Sequence, residues 1–158
     1  METLLSGFDP SKTAIIYNYN GDRSIKDVTI SGSAFIITGP DEKLINKQKE
    51  FVRSQIAFYA STPSYAKVFE LHGWTTISEK LNKLVSLGNF KEMPSLITDE
   101  MLETFAIIGE PHEIAPLALK KYNGLLNRIN FYLPFELTIS QEPLIQWWEK
   151  TIKFIKST

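Results

Sequence analysis

The sequence predicts an α/β fold, mostly helical, in which a small parallel sheet is covered by helices. The segment from Val28 to Thr38 has strand character, and its second half, Ala34-Phe35-Ile36-Ile37, is apolar on both faces. A strand that is buried on both faces is typical of a parallel sheet with helices packed against it. Asp41 then opens a clear amphipathic helical pattern, so strand, loop and helix together predict a βα unit.

The composition is that of an ordinary globular protein, and it excludes several function classes. The 158 residues predict one domain over residues 1–158, and the absence of Cys excludes disulfides, thiolate nucleophiles and Cys-type zinc sites. A formal net charge of −1 gives no general attraction to nucleic acid. The sequence contains no apolar stretch long enough to predict a membrane-spanning helix. The N-terminus lacks the pattern of a signal peptide, so we expect a cytoplasmic protein.

The helix after Asp41 is predicted from apolar residues that recur at helical spacing up to Tyr59. Residues 61–105 predict a series of short helices. Thr62-Pro63 is typical of a helix start, and Thr76 with Glu79 matches a capping box. Because this stretch of about 45 residues has no strand pattern, we expect it to be a helical insertion or a lid.

The last third of the sequence predicts a further helix, a strand and a closing helix. A short apolar run at 106–109 precedes a helix from Glu110 to about Tyr122, with Pro116 inside it. Residues 128–133 predict a second strand. A final helix begins near Pro143, and residues 13–19 have the composition of an additional strand. The predicted buried stripe of the final helix is Leu144, Trp147, Trp148, Thr151, Ile152 and Ile155.

Several strings in a fixed order resemble the C-terminal part of luciferase-like monooxygenases, and most closely the deazaflavin-dependent oxidoreductases of that superfamily. The similarity covers residues 24–135. The matching strings are Arg53-Ser54-Gln55-Ile56-Ala57-Phe58-Tyr59-Ala60-Ser61-Thr62-Pro63-Ser64-Tyr65, Glu70-Leu71-His72-Gly73-Trp74, Thr98-Asp99-Glu100-Met101-Leu102-Glu103-Thr104-Phe105, Ile108-Gly109-Glu110-Pro111-His112-Glu113-Ile114 and Arg128-Ile129-Asn130-Phe131-Tyr132-Leu133-Pro134-Phe135.

The resemblance implies a partial (β/α)₈ TIM barrel. Members of the superfamily are complete barrels that bind FMN or a deazaflavin coenzyme at the C-terminal face. Residues 28–38 would be strand seven, 61–105 the helical insertion, 129–133 strand eight and 143–156 a closing helix. The first six strands are absent, so the chain is truncated relative to the family and carries only the last two βα units.

The resemblance also implies where a coenzyme would lie, because barrel sites collect at the C-terminal ends of the strands. Thr38 and Gly39 follow the first strand and Tyr132 ends the second, so these residues are candidates for coenzyme binding. Packing in a core is the alternative for each of them. No His, Asp or Glu spacing indicates a metal site.

A second group of candidates lies in the helical insertion. His72 is the candidate catalytic residue, since a His beside an aromatic shelf could donate a proton. Trp74 and Tyr65, which form that shelf, are candidates for coenzyme binding. The alternative is that His72 simply ends a helix before Gly73. Ser61 and Thr62 are candidates for a phosphate contact, with helix capping as the alternative.

Two functions remain open from the sequence. The chain is a flavin- or deazaflavin-linked oxidoreductase fragment or subunit, active in hydride transfer or monooxygenation only when a partner completes it. Alternatively, it is a non-catalytic remnant that serves as a structural or oligomeric binding module, with no coenzyme. Both predict association, either as a homodimer or with a separately encoded N-terminal barrel half, because a small parallel sheet leaves edges uncovered. Neither predicts a nucleic-acid or membrane partner.

Overall fold

A computed structural model describes residues 28–132 and 142–157, without the side chains of 142–144 and 155–157. The predicted strand at 13–19 and the side chains of Leu144 and Ile155 therefore lie outside the described part. The elements are β1 (Ser31–Ile37), α1 (Glu42–Ala60), α2 (Ala66–Leu71), α3 (Thr75–Ser86), α4 (Asp99–Phe105), β2 (Ala106–Ile108), α5 (Pro111–Tyr122), β3 (Arg128–Tyr132) and α6 (Glu142–Ser157), with short 3₁₀ helices at Pro63–Tyr65 and Met93–Leu96.

The three strands form one parallel sheet in the order β2-β1-β3. Phe35 of β1 is the register partner of both Ala106 in β2 and Tyr132 in β3. β1 and β3 are the two strands that the sequence predicted, and their pairing is parallel. β2 was predicted only as an apolar run, because three residues are too few to show the period-2 alternation of a strand.

Helices cover both faces of this sheet. Ala34 and Ile36 of β1 pack with α5 and with Trp148 of α6. Phe35 and Ile37, which point to the opposite face, pack with α1 and the helices that follow it. The prediction that a doubly apolar strand lies between helical layers is confirmed. The chain moves from β1 to β2 in one direction and from β2 to β3 in the other, so the usual right-handed crossovers would place the two sets of helices on opposite faces, as is found.

The described residues show an α/β fold with a small parallel sheet, and they do not confirm the expected barrel segment. In a (β/α)₈ barrel each strand pairs with the strands before and after it, and helices cover only the outer face. Here β1 lies between β2 and β3, and helices pack on both faces. The parallel pairing of β1 with β3 agrees with consecutive barrel strands, whereas the position of β2 differs from them.

The helix ends follow local chemistry. Asp41 caps α1 by accepting a hydrogen bond from the Leu44 N–H at 2.8 Å, as predicted. The predicted capping box at Thr76 is wrong, because α3 begins at Thr75 without a side-chain cap. A capping box is found instead at the start of α5, between Glu110 and Glu113.

The predicted string of short helices over 61–105 is confirmed. These helices pack against α1 around one core, and its fully buried members include Leu81 of α3 and Leu102 of α4. Pro116 lies inside α5 without ending it. Its exposed position explains this, because water can reach the carbonyl that loses its backbone donor.

Candidate functional site

A pocket of about 240 Å³ opens on the face of the sheet that carries α1. Its lining is aromatic and apolar, with Ser33 as the polar exception besides the tyrosine hydroxyls. Two of the sequence candidates, Tyr65 and Tyr132, lie in its wall. The lining residues are Ser33, Phe35, Ile56, Tyr59, Tyr65, Val68, Phe69, Phe105 and Tyr132.

Period-2 alternation and helical spacing place these side chains together. Ser33 and Phe35 point to the same face of β1, and register sets Tyr132 beside Phe35 with ring centroids 5.1 Å apart. Tyr59 projects from the last turns of α1 and packs edge-on against Tyr65 at 5.2 Å. A strand pair therefore forms the floor, and the end of α1 with the start of the insertion forms one wall.

Three tyrosines give the pocket its polar character. Burial raises the pKa of the Tyr59 phenol above its ordinary value, and the neighbouring phenols of Tyr132 and Tyr65 raise it further. The Tyr132 hydroxyl donates to the Gln55 side-chain oxygen at 3.3 Å. Because a phenol with a raised pKa keeps its proton at neutral pH, Tyr59 is a hydrogen-bond donor and not an anion.

Thr38 and Gly39 are at the C-terminal end of β1, as predicted, but both are buried and do not line the pocket. The Gln48 side chain binds the Thr38 backbone, accepting from its N–H at 3.3 Å and donating to its oxygen at 2.6 Å. The Thr38 hydroxyl accepts from the indole N–H of Trp147 at 3.1 Å. These contacts fix the end of β1 between α1 and α6, which is a structural role.

Ser61 and Thr62 use their hydroxyls locally. Both donate to the Phe58 carbonyl, at 2.7 Å and 3.3 Å respectively, which is the back-bonding expected at a helix end. The hydroxyls therefore bind the end of α1. The predicted capping of the helix at Pro63 by Thr62 is wrong, because Thr62 makes no side-chain cap hydrogen bond there.

His72 and Trp74 lie behind the pocket wall. Their rings stack with centroids 4.7 Å apart, and His72 packs edge-on against Phe105, whose ring also lines the pocket. The Nε2 atom of His72 is buried without a hydrogen-bond partner in the described part of the chain. The described geometry thus separates His72 from the pocket by one aromatic layer, and its catalytic role stays a prediction.

Sequence reasoning did not identify the pocket residues Tyr59, Ser33, Phe69 and Phe105. Tyr59 was recognised only as a member of the apolar stripe of α1. The signal for Ser33 was its period-2 relation to Phe35, which places a small polar residue on an otherwise apolar face. Phe69 and Phe105 are far apart along the chain, and their rings lie 5.5 Å apart only after the insertion packs.

The pocket fits part of a flavin-type coenzyme. Ring faces and phenol donors suit a planar aromatic system that carries carbonyl oxygens. Its 240 Å³ is below the roughly 300–1,000 Å³ of pockets that enclose whole ligands, and its lining contains no Lys or Arg for a phosphate. The described residues could therefore hold the ring system of such a coenzyme, while its phosphate would need groups from elsewhere.

Residues 28–132 and 142–157 contain neither a cluster of metal ligands nor a membrane-spanning helix. Within those ranges, no three His, Asp or Glu side chains come together as metal ligands. None of the described helices has the length and apolarity that crossing a bilayer requires.

The sequence is similar to uncharacterized mycobacterial proteins. One relative from Mycobacterium bovis and two from strains of Mycobacterium tuberculosis are each 39% identical to it over 121 residues. The match covers 77% of this chain but 34% of each relative, so it spans about a third of their length. No protein-family description and no solved structure matches the sequence.

Proposed function

We propose that this chain supplies the aromatic side of a flavin or deazaflavin site in a luciferase-like oxidoreductase, and that a partner must complete the site. The observation that carries the proposal is the aromatic pocket, whose wall includes Tyr65 and Tyr132. Tyr132 is a coenzyme candidate by the resemblance, and Tyr65 is a candidate as part of the aromatic shelf beside His72. The coenzyme supplies hydride transfer or monooxygenation chemistry when it is bound.

The roles of this chain's residues follow from the pocket. Phe35 and the three tyrosines present ring faces and edges against which a planar ligand can pack. Tyr59 holds its proton at neutral pH and can donate it in a hydrogen bond to a carbonyl oxygen of the ligand. The sheet floor and the aromatic wall exclude water from one side of the bound ring.

The proposal includes a finer architecture, in which β1 and β3 are the last two strands of a (β/α)₈ barrel. Their parallel pairing supports it. A barrel interior is filled by side chains of the strands, so one of the two helical layers would have to leave the sheet when further strands are added. The longer mycobacterial relatives have enough chain for those strands.

Ligand titration tests the coenzyme proposal. The chain would be titrated with riboflavin, FMN and a deazaflavin, in oxidised and reduced forms, following tryptophan and flavin fluorescence. We expect saturable binding that weakens at least tenfold in Tyr132→Leu and in Tyr65→Leu. Phe90→Leu is the matched control, since Phe90 is an exposed aromatic residue outside the pocket. Failure of all three ligands to bind at high micromolar concentration contradicts the proposal.

A non-catalytic binding module is the second candidate. The observation that favours it is the place of His72, which the aromatic wall separates from the pocket. A module of this kind would bind a partner or a planar ligand without turnover. Ligand binding that is unaffected by His72→Ala, together with no hydride transfer from the reduced ligand, would favour the module over the enzyme.

A further inference from the structure

The outer edge of β3 is open along its whole length in the part of the chain that the structure describes. The Arg128 N–H donates to the Ile30 carbonyl at 3.2 Å, so Arg128 directs its backbone groups toward β1. Alternation along a strand then turns the backbone groups of Ile129 and Phe131 away from β1. No described strand pairs with them.

The other edge of the sheet is protected. β2 has three residues, and its Ala106 carbonyl points away from β1 and accepts from the Lys121 ammonium at 3.1 Å. Short edge strands and lysines at an edge are the usual means of preventing unwanted strand pairing. The two edges therefore differ, and β3 is the one suited to a partner.

An apolar flank of α6 lies beside the same edge. Trp148 packs against Phe131 of β3 with ring centroids 5.9 Å apart. Ile145 lies three positions before Trp148 and Ile152 four positions after it, so both side chains project from the same flank of α6. They are 37% and 43% exposed. Phe154 is on the opposite flank, where it meets His112 of α5. The exposed isoleucines thus extend outward past β3, away from α5.

We infer that a second copy of this chain pairs antiparallel with β3 across a two-fold axis, with Asn130 facing the partner's Asn130. In this register Ile129 exchanges both backbone hydrogen bonds with the partner's Phe131, and the reciprocal pair forms by symmetry. Arg128 lies opposite the partner's Tyr132, a cation beside an aromatic ring, and no like charges face each other. The edge is therefore complementary to itself.

The helical layer agrees with this geometry. Each α6 contacts β1 through Trp147 and Thr38, and β3 through Trp148 and Phe131, so it lies over both strands. With strands about 4.8 Å apart, the two α6 helices would be about 10 Å apart. Packed helices are separated by about 8–10 Å, so the Ile145 and Ile152 flanks of the two copies would meet.

The dimer would also complete the ligand site, a step that rests on the coenzyme site of the proposed function. It would do so in place of barrel closure, since further barrel strands would need the same edge of β3. Tyr132 lines the pocket, and the partner's Arg128 would lie directly across from it on the same face of the joined sheet. The pocket lining of one copy has no Lys or Arg. A second copy would therefore supply the cation that a coenzyme phosphate requires.

Disulfide trapping tests the register directly, because the chain has no Cys. Asn130→Cys places one thiol at the two-fold axis, where Cα atoms of facing residues are about 4.5 Å apart, within disulfide range. We expect an intermolecular disulfide at low micromolar protein under mild oxidation. Glu103→Cys, exposed near the protected edge, is the control and should form no intermolecular disulfide. Trapping of both variants, or of neither, overturns the inference.

A substitution that changes the backbone of β3 tests the strand pairing independently. Ile129→Pro removes an N–H that points to the partner and leaves the ladder with β1 intact, so light scattering should show a monomer in place of the dimer. Ile108→Pro makes the same change at the protected edge and should leave the dimer unchanged.

A wild-type chain that is monomeric at all concentrations, with its edge covered by its own residues, overturns the inference. Flavin binding by such a monomer would leave the proposed function standing, and a dimer that binds no flavin would refute the proposed function alone.

Discussion

Buried polar residues in this molecule serve mainly to hold backbone in place. Gln48, which is 2% exposed, binds the Thr38 backbone at the end of β1. Ser78 binds the Ala60 carbonyl at 2.6 Å and so attaches α3 to the end of α1. Because a buried backbone group without a partner costs more than a hydrogen bond gains, these side chains are sensitive points of the fold.

Replacing Gln48 by Leu should destabilise the protein by about 2–4 kcal/mol, because both backbone groups of Thr38 would lose their partner inside the core. Urea unfolding followed by circular dichroism measures the change. Asn46→Leu, two residues away on the exposed side of α1, is the control and should shift stability by less than about 0.5 kcal/mol. Equal effects of the two variants would contradict the role given to Gln48.

Lys121 should make stability depend on pH. Its ammonium donates to the carbonyls of Glu103, Thr104 and Ala106, and burial lowers its pKa from the ordinary 10.5 to about 8. Between these two values the unfolded chain binds more protons than the folded one, so the free energy of unfolding rises with pH across that window. After allowance for partial exposure, we expect a rise of about 1–2 kcal/mol.

The Lys121 measurement compares urea unfolding of the wild type and of Lys121→Met from pH 7.5 to 10.5. The difference between the two isolates this residue from the other charged groups that line the cleft, which are Lys49, Glu100, Glu103 and Lys120. The wild type should gain stability relative to the variant as pH rises. A difference that stays constant or falls would contradict the prediction.

The sequence predicted individual pocket residues where neighbouring residues in the chain marked them. Tyr132 was a candidate from its place at a strand end and Tyr65 from the aromatic shelf beside His72, and both line the pocket. Their partner Tyr59 belonged to an ordinary apolar stripe, and nothing in that pattern separates a pocket wall from a core. The orientation of His72 depends on how the insertion packs onto Phe105, a contact between residues 33 positions apart in the sequence.

At the scale of elements, caps decide where each helix begins, and the edges of the sheet decide whether further strands can pair with it. Asp41 was predicted as a cap because a helical stripe follows it, and the structure confirms this. Thr76 matches the same kind of pattern but lies one residue inside α3, since the turn at Gly73, in a left-handed conformation at φ 74°, starts the helix earlier. β2 exists only because β1 supplies its hydrogen bonds, so no local pattern could reveal it.

Removing the cap of α1 should cost about 1 kcal/mol. Asp41→Ala leaves the Leu44 N–H to solvent and removes a carboxylate from the positive end of the helix dipole. Asp41→Ser keeps a capping oxygen and should recover most of the loss. Thermal unfolding of the three proteins measures the effect, and an alanine variant as stable as the serine variant would show that the cap contributes nothing.

For the molecule as a whole, one sheet joins two hydrophobic cores. β1 directs Ala34 and Ile36 into one core and Ile37 into the other, so its apolar character on both faces has a structural cause. This is why the three-layer arrangement could be anticipated from a single strand. The strand order could not, because it depends on which side of β1 each crossover returns to, and sequence patterns leave this open.

The two cores should unfold together although they do not touch. Leu81→Ala removes a fully buried side chain from the core on the α1 face and should cost about 2–5 kcal/mol. Trp148→Ala, on the opposite face, should cost about 3–5 kcal/mol. Each variant should keep one transition that coincides by far-UV circular dichroism and by fluorescence, because neither core can persist once β1 leaves the sheet.

The double variant decides between one folding unit and two. Because the sheet separates the two side chains, their effects should add to within about 0.5 kcal/mol, provided that the background protein is stabilised enough to tolerate both. If the two layers were independent units, unfolding would instead occur in two transitions. Leu81→Ala would then shift the midpoint of one transition, and Trp148→Ala would shift only the midpoint of the other. If β1 connects the pocket face to the face that carries α6, the transitions should coincide and the losses of unfolding free energy should add. A dimer formed through β3 would then stabilise both faces at once.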